Sequence, residues 1–542
     1  MADERDSRRD NSYRDDKGRQ RPQSRRDPRR QRSALRPADR RRAADPARRA
    51  AYDVLRAVDR GAYANLELPR ILRSAGVHGR DAAFATELAY GTVRMRGLYD
   101  PIIEIAAGRP ATEIDPPVLD TLRLGVHQLL GMRVASHAAA SETVALARSV
   151  NGAGAAGFVN AVLRRVSERP RESWVAEVTA GRDRDEALAV EFSHPAWEVR
   201  ALRTALLAHG ASTEESVDGD LVRLLAAHND PAAVALVARP GLSDVAELVE
   251  AGAEASALSP VGARLEGGDP GAIPAVRQTR AAVQDEGSQL LALALAAAPV
   301  DPADDPADDP AGDASPADGA AGGDLDTDGS EERWLDLCAG PGGKTALLAA
   351  LGAQQGAVVF ANEISEHRAD LVEQTLRAAT DAGIEVMVGV GDGRDLGEEE
   401  PQAFDRVLVD APCTGLGALR RRPDARWRRQ LGDVPDLTRL QGELLASAVA
   451  ATRPGGLIAY TTCSPHAAET RVVVDDAVRR GDVELVDART YIRDAEGRQV
   501  DGLGDGPTVQ LWTHLQGTDS MFLALLRKTP PNGPDAPTSE DS

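Results

Sequence analysis

The stretch "RWLDLCAGPGGKTALLAALGA", residues 333–353, decides the fold. "RWLDLC" has the short apolar character of a buried strand, and "GKTALLAALGA" reads as a helix. The Gly-rich turn between them lets backbone N–H groups approach a ligand closely. Onward from it the patterns alternate. "AVVFANE", "EVMVGVGD", "FDRVLVDAP" and "GLIAYTTC" read as strands; "SEHRADLVEQTLRAATDAG" and "DLTRLQGELLASAVAATRPGG" read as helices. Such alternation predicts a doubly wound, mostly parallel α/β sheet of Rossmann-like type, with its ligands beyond the carboxyl ends of the strands. A helix "ETRVVVDDAVRRG" and strands "DVELVDA" and "DSMFLALLRK" complete a domain expected over 333–528.

Strand-end residues therefore carry the functional signal. The turn "DLCAGPGGKT" is neither a phosphate-binding P-loop, because Cys338 stands where the first Gly would be, nor a G-x-G-x-x-G dinucleotide fingerprint. The second strand ends in "ANEIS", placing Glu363 where an acid accepts ribose hydroxyls, and the third ends in "VGDGRDL", placing Asp392 over the neighbouring crevice. A Gly-rich loop, Glu363 and Asp392 in that order describe a nucleoside cleft without a pyrophosphate clamp, as S-adenosylmethionine requires. Two further strands end in cysteines, Cys413 in "DAPCTGLG" and Cys463 in "YTTCSP".

Working outward, residues 299–332 repeat "DPAD" without periodicity and read as a disordered acidic insert. Upstream, 171–298 reads as a linker and pre-catalytic α+β region. Residues 44–170 show apolar spacing of i, i+3, i+4 and i+7 in "AAYDVLRAVDRG", "PPVLDTLRLGVHQLLGMRV" and "GAAGFVNAVLRRVSER", which predicts an all-helical domain. Residues 1–43 read as a disordered basic arm and 529–542 as a disordered tail. The chain has 542 residues and a net charge of -21, yet residues 1–50 alone carry +9. An Arg-rich arm before an acidic body suits contact with a phosphate backbone. Three cysteines cannot build a disulfide framework, and no His/Cys cluster has metal-ligand spacing, so reduced thiols and no metal are expected. No apolar run approaches the roughly 18–20 residues that span a bilayer, and the first thirty residues have no signal-peptide core. A cytoplasmic protein without membrane contact is the expectation.

"DLCAGPGGKT", "DAPCTGLG", "RRRPDARW" and "YTTCSP" together resemble the signature blocks of the bacterial RNA 5-methylcytosine methyltransferases of the Sun/RsmB type, which act on small-subunit (16S) ribosomal RNA. The helical segment is similar to the NusB-like RNA-binding domain of that type. The resemblance implies a class I methyltransferase fold behind an all-α NusB-like domain, S-adenosylmethionine as cofactor and ribosomal RNA as partner. It implies cofactor contacts from Cys338, Ala339, Gly340, Pro341, Gly342, Gly343, Lys344, Glu363, Asp392 and Asp410, and a nucleophilic Cys463. Two departures stand out. Gly340 replaces the second Ala of the family's CAAPGGKT loop, and Glu363 replaces its usual Asp.

The chemistry agrees with that implication. C5 of cytosine takes a methyl group only once a nucleophile has added to C6, and a thiolate is the side chain least weak for this near neutrality. Cys463 as nucleophile, Asp410 as proton donor near N3 and Cys413 as helper in release fill the three roles. The six arginines and Trp427 of "LRRRPDARWRR", 419–429, suit phosphates and base stacking. Other readings remain open here: methylation of another RNA, a DNA-type enzyme that would use Cys413, and a non-catalytic NusB-like antitermination factor.

Overall fold

The computed structural model describes residues 44–302 and 331–530. The basic arm, most of the acidic insert and nearly all of the tail lie outside the described residues. The insert's two flanks lie within them and are tethered: Asp301 pairs with Arg527 at 2.6 Å and Glu332 with Arg406 at 2.7 Å.

Six helices form the N-terminal layer: α1 (Pro46–Asp59), α2 (Ala64–Ala75), α3 (Gly79–Ala107), α4 (Pro116–Leu130), α5 (Ser136–Val150) and α6 (Ala153–Ser167). α1 starts where Pro46 occupies the first turn, a position with no use for its missing N–H, and where the Asp45 carboxylate accepts the Arg48 N–H at 2.9 Å. The apolar stripes of α3, α4 and α6 meet in a core built on Leu98, Ile102, Leu122, Val159 and Leu163. Four more helices between Arg171 and Ala227 lead into a small antiparallel sheet of β1 (Val234–Ala238), β2 (Glu254–Ala255), β3 (Gly262–Leu265) and β4 (Ala281–Val283), in the order β2-β3-β1-β4.

The second sheet contains β5 (Arg333–Asp336), β6 (Val358–Glu363), β7 (Val386–Val390), β8 (Phe404–Asp410), β9 (Thr452–Thr462), β10 (Val483–Val486), β11 (Val509–Gln510) and β12 (Phe522–Lys528). Its order is β10-β12-β9-β8-β5-β6-β7, with β11 beside β12. β5 to β9 run parallel, and β12 lies antiparallel between β9 and β10. Each face is covered: Trp334, Leu347, Leu408 and Leu523 belong to one core, Val407, Leu445, Ile458 and Phe522 to the other. Burial on both sides is why β8 and β9 read as unbroken apolar runs, whereas the edge strand β7 is largely exposed. The chain leaves β5 towards β6 and later returns to β8 on its other flank, so the strand order reverses between β5 and β8, and the crevice opens at that switch point. β9 is longer than "GLIAYTTC": pairing starts at Thr452, and the "TRPGG" expected to end the preceding helix belongs to the strand.

Among the described residues no helix is long and apolar enough to cross a membrane, and no group of His, Cys, Asp or Glu is arranged to hold a metal ion.

Candidate active site

β5, β8 and β9 deliver the candidate residues to one place. β5 ends at Asp336, buried beneath the Gly-rich loop, where Oδ2 accepts the Thr345 hydroxyl at 2.7 Å and Oδ1 has no partner. Burial pushes this carboxyl up to about 7; the Thr345 hydrogen bond opposes the rise and Asp410 adds to it. Cys338 follows, largely enclosed, and burial raises its thiol far above the ordinary range. Ala339 is buried, and its carbonyl accepts the Gly342 N–H at 2.7 Å to close the turn. The Gly340–Pro341 peptide is cis, and Gly342 has φ +101°, a left-handed conformation that favours glycine. The helix Gly343–Gln355 starts directly after it.

The loop's lysine does not face open space. Lys344 Nζ donates to Asp410 Oδ2 at 2.7 Å, and Thr461 Oγ1 donates to Asp410 Oδ1 at 3.1 Å. Burial works against the Lys344 ammonium, but Asp410 outweighs it and the group stays above its usual range. Both Asp410 oxygens accept hydrogen bonds, one of them from the Lys344 ammonium, which sets a proton carrier directly beside the residue expected to act near N3.

β8 and β9 pair in parallel with Asp410 opposite Thr461, which brings the loops beyond them together. Cys413 Sγ and Cys463 Sγ lie 3.4 Å apart, both partly exposed. The Cys463 thiol is lowered, first by the hydrogen bond from Cys413 and further by Arg422 and Lys344, against burial and Asp410. Cys413 is raised well above the usual thiol range by the same contact, by burial and by Glu469. The backbones approach closely too: Gly417 N–H donates to the Cys463 carbonyl at 2.9 Å, and a side chain on Gly417 would overlap the Ser520 carbonyl.

Glu363 closes β6 and is buried. Oε2 accepts the Gly340 N–H at 3.0 Å, while Oε1 accepts the Ser365 N–H at 3.1 Å and pairs with Arg368 at 3.1 Å. The exposed Arg368 thus covers the carboxylate expected to meet a ribose. Asp392 lies beyond β7 and holds Arg394 through both oxygens, at 2.6 and 3.0 Å among its contacts. The structure unites Cys338 to Lys344 with Asp410, Cys413 and Cys463, and sets Glu363 and Asp392 in turn along the same edge. S-adenosylmethionine fits this donor set. The backbone cradle is present, and both cations beside it are committed to carboxylates, Lys344 to Asp410 and Arg368 to Glu363, which suits a cationic sulfonium better than a polyphosphate.

Two supporting residues escaped the sequence reading. Asn362 donates to the carbonyls of Leu337 at 3.1 Å and Gly391 at 3.2 Å, tying the loops beyond β5 and β7 together. Glu469, fully buried, accepts the Thr414 N–H at 2.8 Å, the Ser464 hydroxyl at 2.6 Å, the Thr414 hydroxyl and the Gln441 amide at 3.2 Å. An acid six residues after Cys463, in "SPHAAE", was the available signal, but nothing local distinguishes it from a solvated glutamate.

The arginine run corrects an expectation. Arg426 is fully buried and donates to the carbonyl of His228 at 2.7 Å, that of Ser193 at 3.1 Å, and Asn229 Oδ1 at 2.8 Å. Trp427 Nε1 donates to the Val93 carbonyl of α3 at 3.1 Å, beneath Arg96. Arg420 and Arg421 pair with Asp285 and Asp519. Trp427 ties this stretch to the helical layer, Arg426 to the residues between the two layers, and Arg420 and Arg421 to the start of the helix Glu286–Ala297 and the loop before β12, so the four are not free to hold RNA. A guanidinium is drawn to any carboxylate or carbonyl the fold presents, and here the fold presents them first. Arg422 and Arg429 remain exposed.

A doubly wound sheet with a Gly-rich loop after its first parallel strand and acids at the ends of the next two defines a class I S-adenosylmethionine-dependent methyltransferase. Residues 326–527 match the family model described as 16S rRNA methyltransferase RsmB/F, and residues 45–168 match the NusB family. A Mycobacterium tuberculosis (strain H37Rv) protein with a provisional methyltransferase name is 50% identical over 493 residues, covering 90% of this chain and 98% of that one. The ribosomal RNA small subunit methyltransferase B of Pseudomonas putida is 31% identical over 465 residues, covering 84% and 94%. The crystal structure of PH0851 shares the fold, with a TM-score of 0.68 at 21% identity, covering 90% of this chain and all of that one. The chain belongs to the RsmB/F family of 16S rRNA methyltransferases, preceded by a NusB domain.

Proposed function

We propose that the protein methylates C5 of a cytosine in 16S ribosomal RNA, with Cys463 as the nucleophile. S-adenosylmethionine, when bound, supplies an electrophilic methyl group. The residues of the chain do the rest. Cys463 Sγ adds to C6, and the Lys344–Asp410 pair supplies the proton that N3 takes up, which makes C5 nucleophilic. After C5 is methylated, water takes the C5 proton, N3 returns its proton to the Lys344–Asp410 pair, and the re-formed C5–C6 double bond expels Cys463 Sγ as a thiolate that accepts a hydrogen bond from the Cys413 S–H. The target base leaves its stack to reach this pocket. Glu363, Asp392 and the loop from Cys338 to Gly343 hold the cofactor, and the reaction places the protein with ribosomal RNA in the cytoplasm.

The observation that carries this reading is the Sγ–Sγ contact of 3.4 Å, set beside the Lys344–Asp410 pair. The test is the fate of the protein–RNA adduct on denaturing gels with 16S RNA and cofactor. Cys463→Ala should abolish both methyl transfer and adduct. Cys413→Ala should methylate and then stall, so that an adduct accumulates. An adduct that persists in Cys463→Ala and vanishes in Cys413→Ala would reverse the roles and favour the DNA-type arrangement.

A further inference from the structure

Glu469 is buried and makes no ion pair among the described residues, although His466, three residues before it, feels its charge. Its surroundings are neutral donors, two hydroxyls and two N–H groups, and three of these four belong to Thr414 and Ser464. Those are the residues directly after Cys413 and Cys463. The fourth, from Gln441, comes from a side chain whose amide also donates to the Pro412 carbonyl at 2.8 Å. One carboxylate thus grips the "DAPCTG" loop on both sides of Cys413 and the "TTCSP" loop just beyond Cys463. Its own backbone is held as well, since the buried Tyr460 hydroxyl donates to the Glu469 carbonyl at 2.7 Å.

The charges around the thiols are unequal. Cys413 is raised first by its contact with Cys463 and by burial, and then by Glu469, with the Tyr460 phenol and His466 nearby. On the Cys463 side stand Lys344 and Arg422, offset by Asp410. An S–H···S contact between two identical groups has no inherent direction. A negative charge near one sulfur and positive charges near the other give it one.

We propose that Glu469 is a positioning residue that locks the two cysteine loops together and gives their contact a single polarity, Cys413 as the S–H donor and Cys463 as the thiolate. This rests on the reading of Cys463 as nucleophile. It adds to that reading the group that decides which of two adjacent thiols attacks.

The test is site-resolved alkylation of the full-length protein by iodoacetamide across pH, read by peptide mass spectrometry without RNA or cofactor, with the enclosed Cys338 as internal control. In the wild type Cys463 should react first as pH rises. In Glu469→Gln, which keeps the side-chain shape but removes the charge, Cys413 should alkylate about threefold faster near neutrality, the gain in thiolate from a half-unit shift, and the gap between the thiols should narrow. Unchanged order and midpoints in a folded Glu469→Gln protein would overturn the role of Glu469 while leaving the nucleophile reading intact. Cys413 reacting first in the wild type would overturn both. Should Glu469→Gln not fold, Glu469→Asp keeps the charge and draws the loops out of line. It should retain the alkylation order yet lose about tenfold or more in methyl transfer, and full methyl transfer would overturn the proposal.

Discussion

Glu363 Oε2 accepts the Gly340 N–H at 3.0 Å in the space that a side chain at 340 would fill: a Cβ there would overlap that oxygen and stand 2.8 Å from Arg368 Nη2. The two positions at which the chain departs from the pattern it resembles, Gly340 in the loop and Glu363 after β6, therefore meet in space. The longer acid reaches into the room that the missing methyl leaves.

Gly340→Ala alone should accordingly weaken S-adenosylmethionine binding by about tenfold, and Glu363→Asp alone should cost less. The double variant should recover most of the loss, with a coupling energy of about 1 kcal/mol or more, as expected of groups in contact. Calorimetry with the cofactor alone measures it, and additive losses would mean that the two positions are independent.

Lys344 should act on the chemistry more than on the cofactor, because its ammonium is bound to Asp410. Lys344→Met is expected to lower kcat by about 10²-fold or more, the usual scale for a lost proton-transfer partner. Its S-adenosylmethionine Kd should not rise, since losing the ammonium leaves the Asp410 carboxylate uncompensated and an uncompensated anion attracts the cationic sulfonium. Single-turnover methyl transfer with calorimetry distinguishes this from a cofactor contact, for which Kd would rise while kcat held.

Trp427 should join the two layers. Its ring stands against Gly97 of α3, where a Cβ would come within 2.6 Å of it. Trp427→Ala leaves a cavity there and should cost about 3 kcal/mol in urea unfolding. A cost below about 0.5 kcal/mol, the level of a surface substitution, would mean that the indole is free to stack on a base after all.

Asp336 should make stability depend on pH. Its folded value, about 7, lies above the ordinary 3.8, so its stabilising contribution is full below 3.8 and is lost as pH rises through 7. Asp336→Asn, of the same shape but unable to ionise, should flatten the Tm profile between those limits and raise Tm at higher pH. Parallel profiles for the two proteins would show that folding leaves the carboxyl's pKa unshifted.

Much of this was legible before folding. Strand and helix periods in 333–528 are local, and parallel α/β topology converts them almost directly into a list of strand-end residues. Cys338, Asp410, Cys413 and Cys463 could therefore be placed at one crevice from their positions after apolar runs. The small sheet β1 to β4 was not resolved strand by strand, because its strands are two to five residues long and too short to show a period.

The sequence by itself determined the order of the sheet's signals, the pair of cysteines and the absence of a phosphate clamp, because each depends on residue type at a fixed distance along the chain. Tertiary structure alone decided which charge meets which. Lys344 faces Asp410, 66 residues away, Arg426 crosses 198 residues to the His228 carbonyl, and Glu469 reaches Thr414 across 55. A charged side chain carries no mark of its partner. Its role is set by whatever burial and strand register bring within hydrogen-bonding reach, and that is why a run read as an RNA grip became an interdomain joint and an unremarked glutamate became the link between two cysteines.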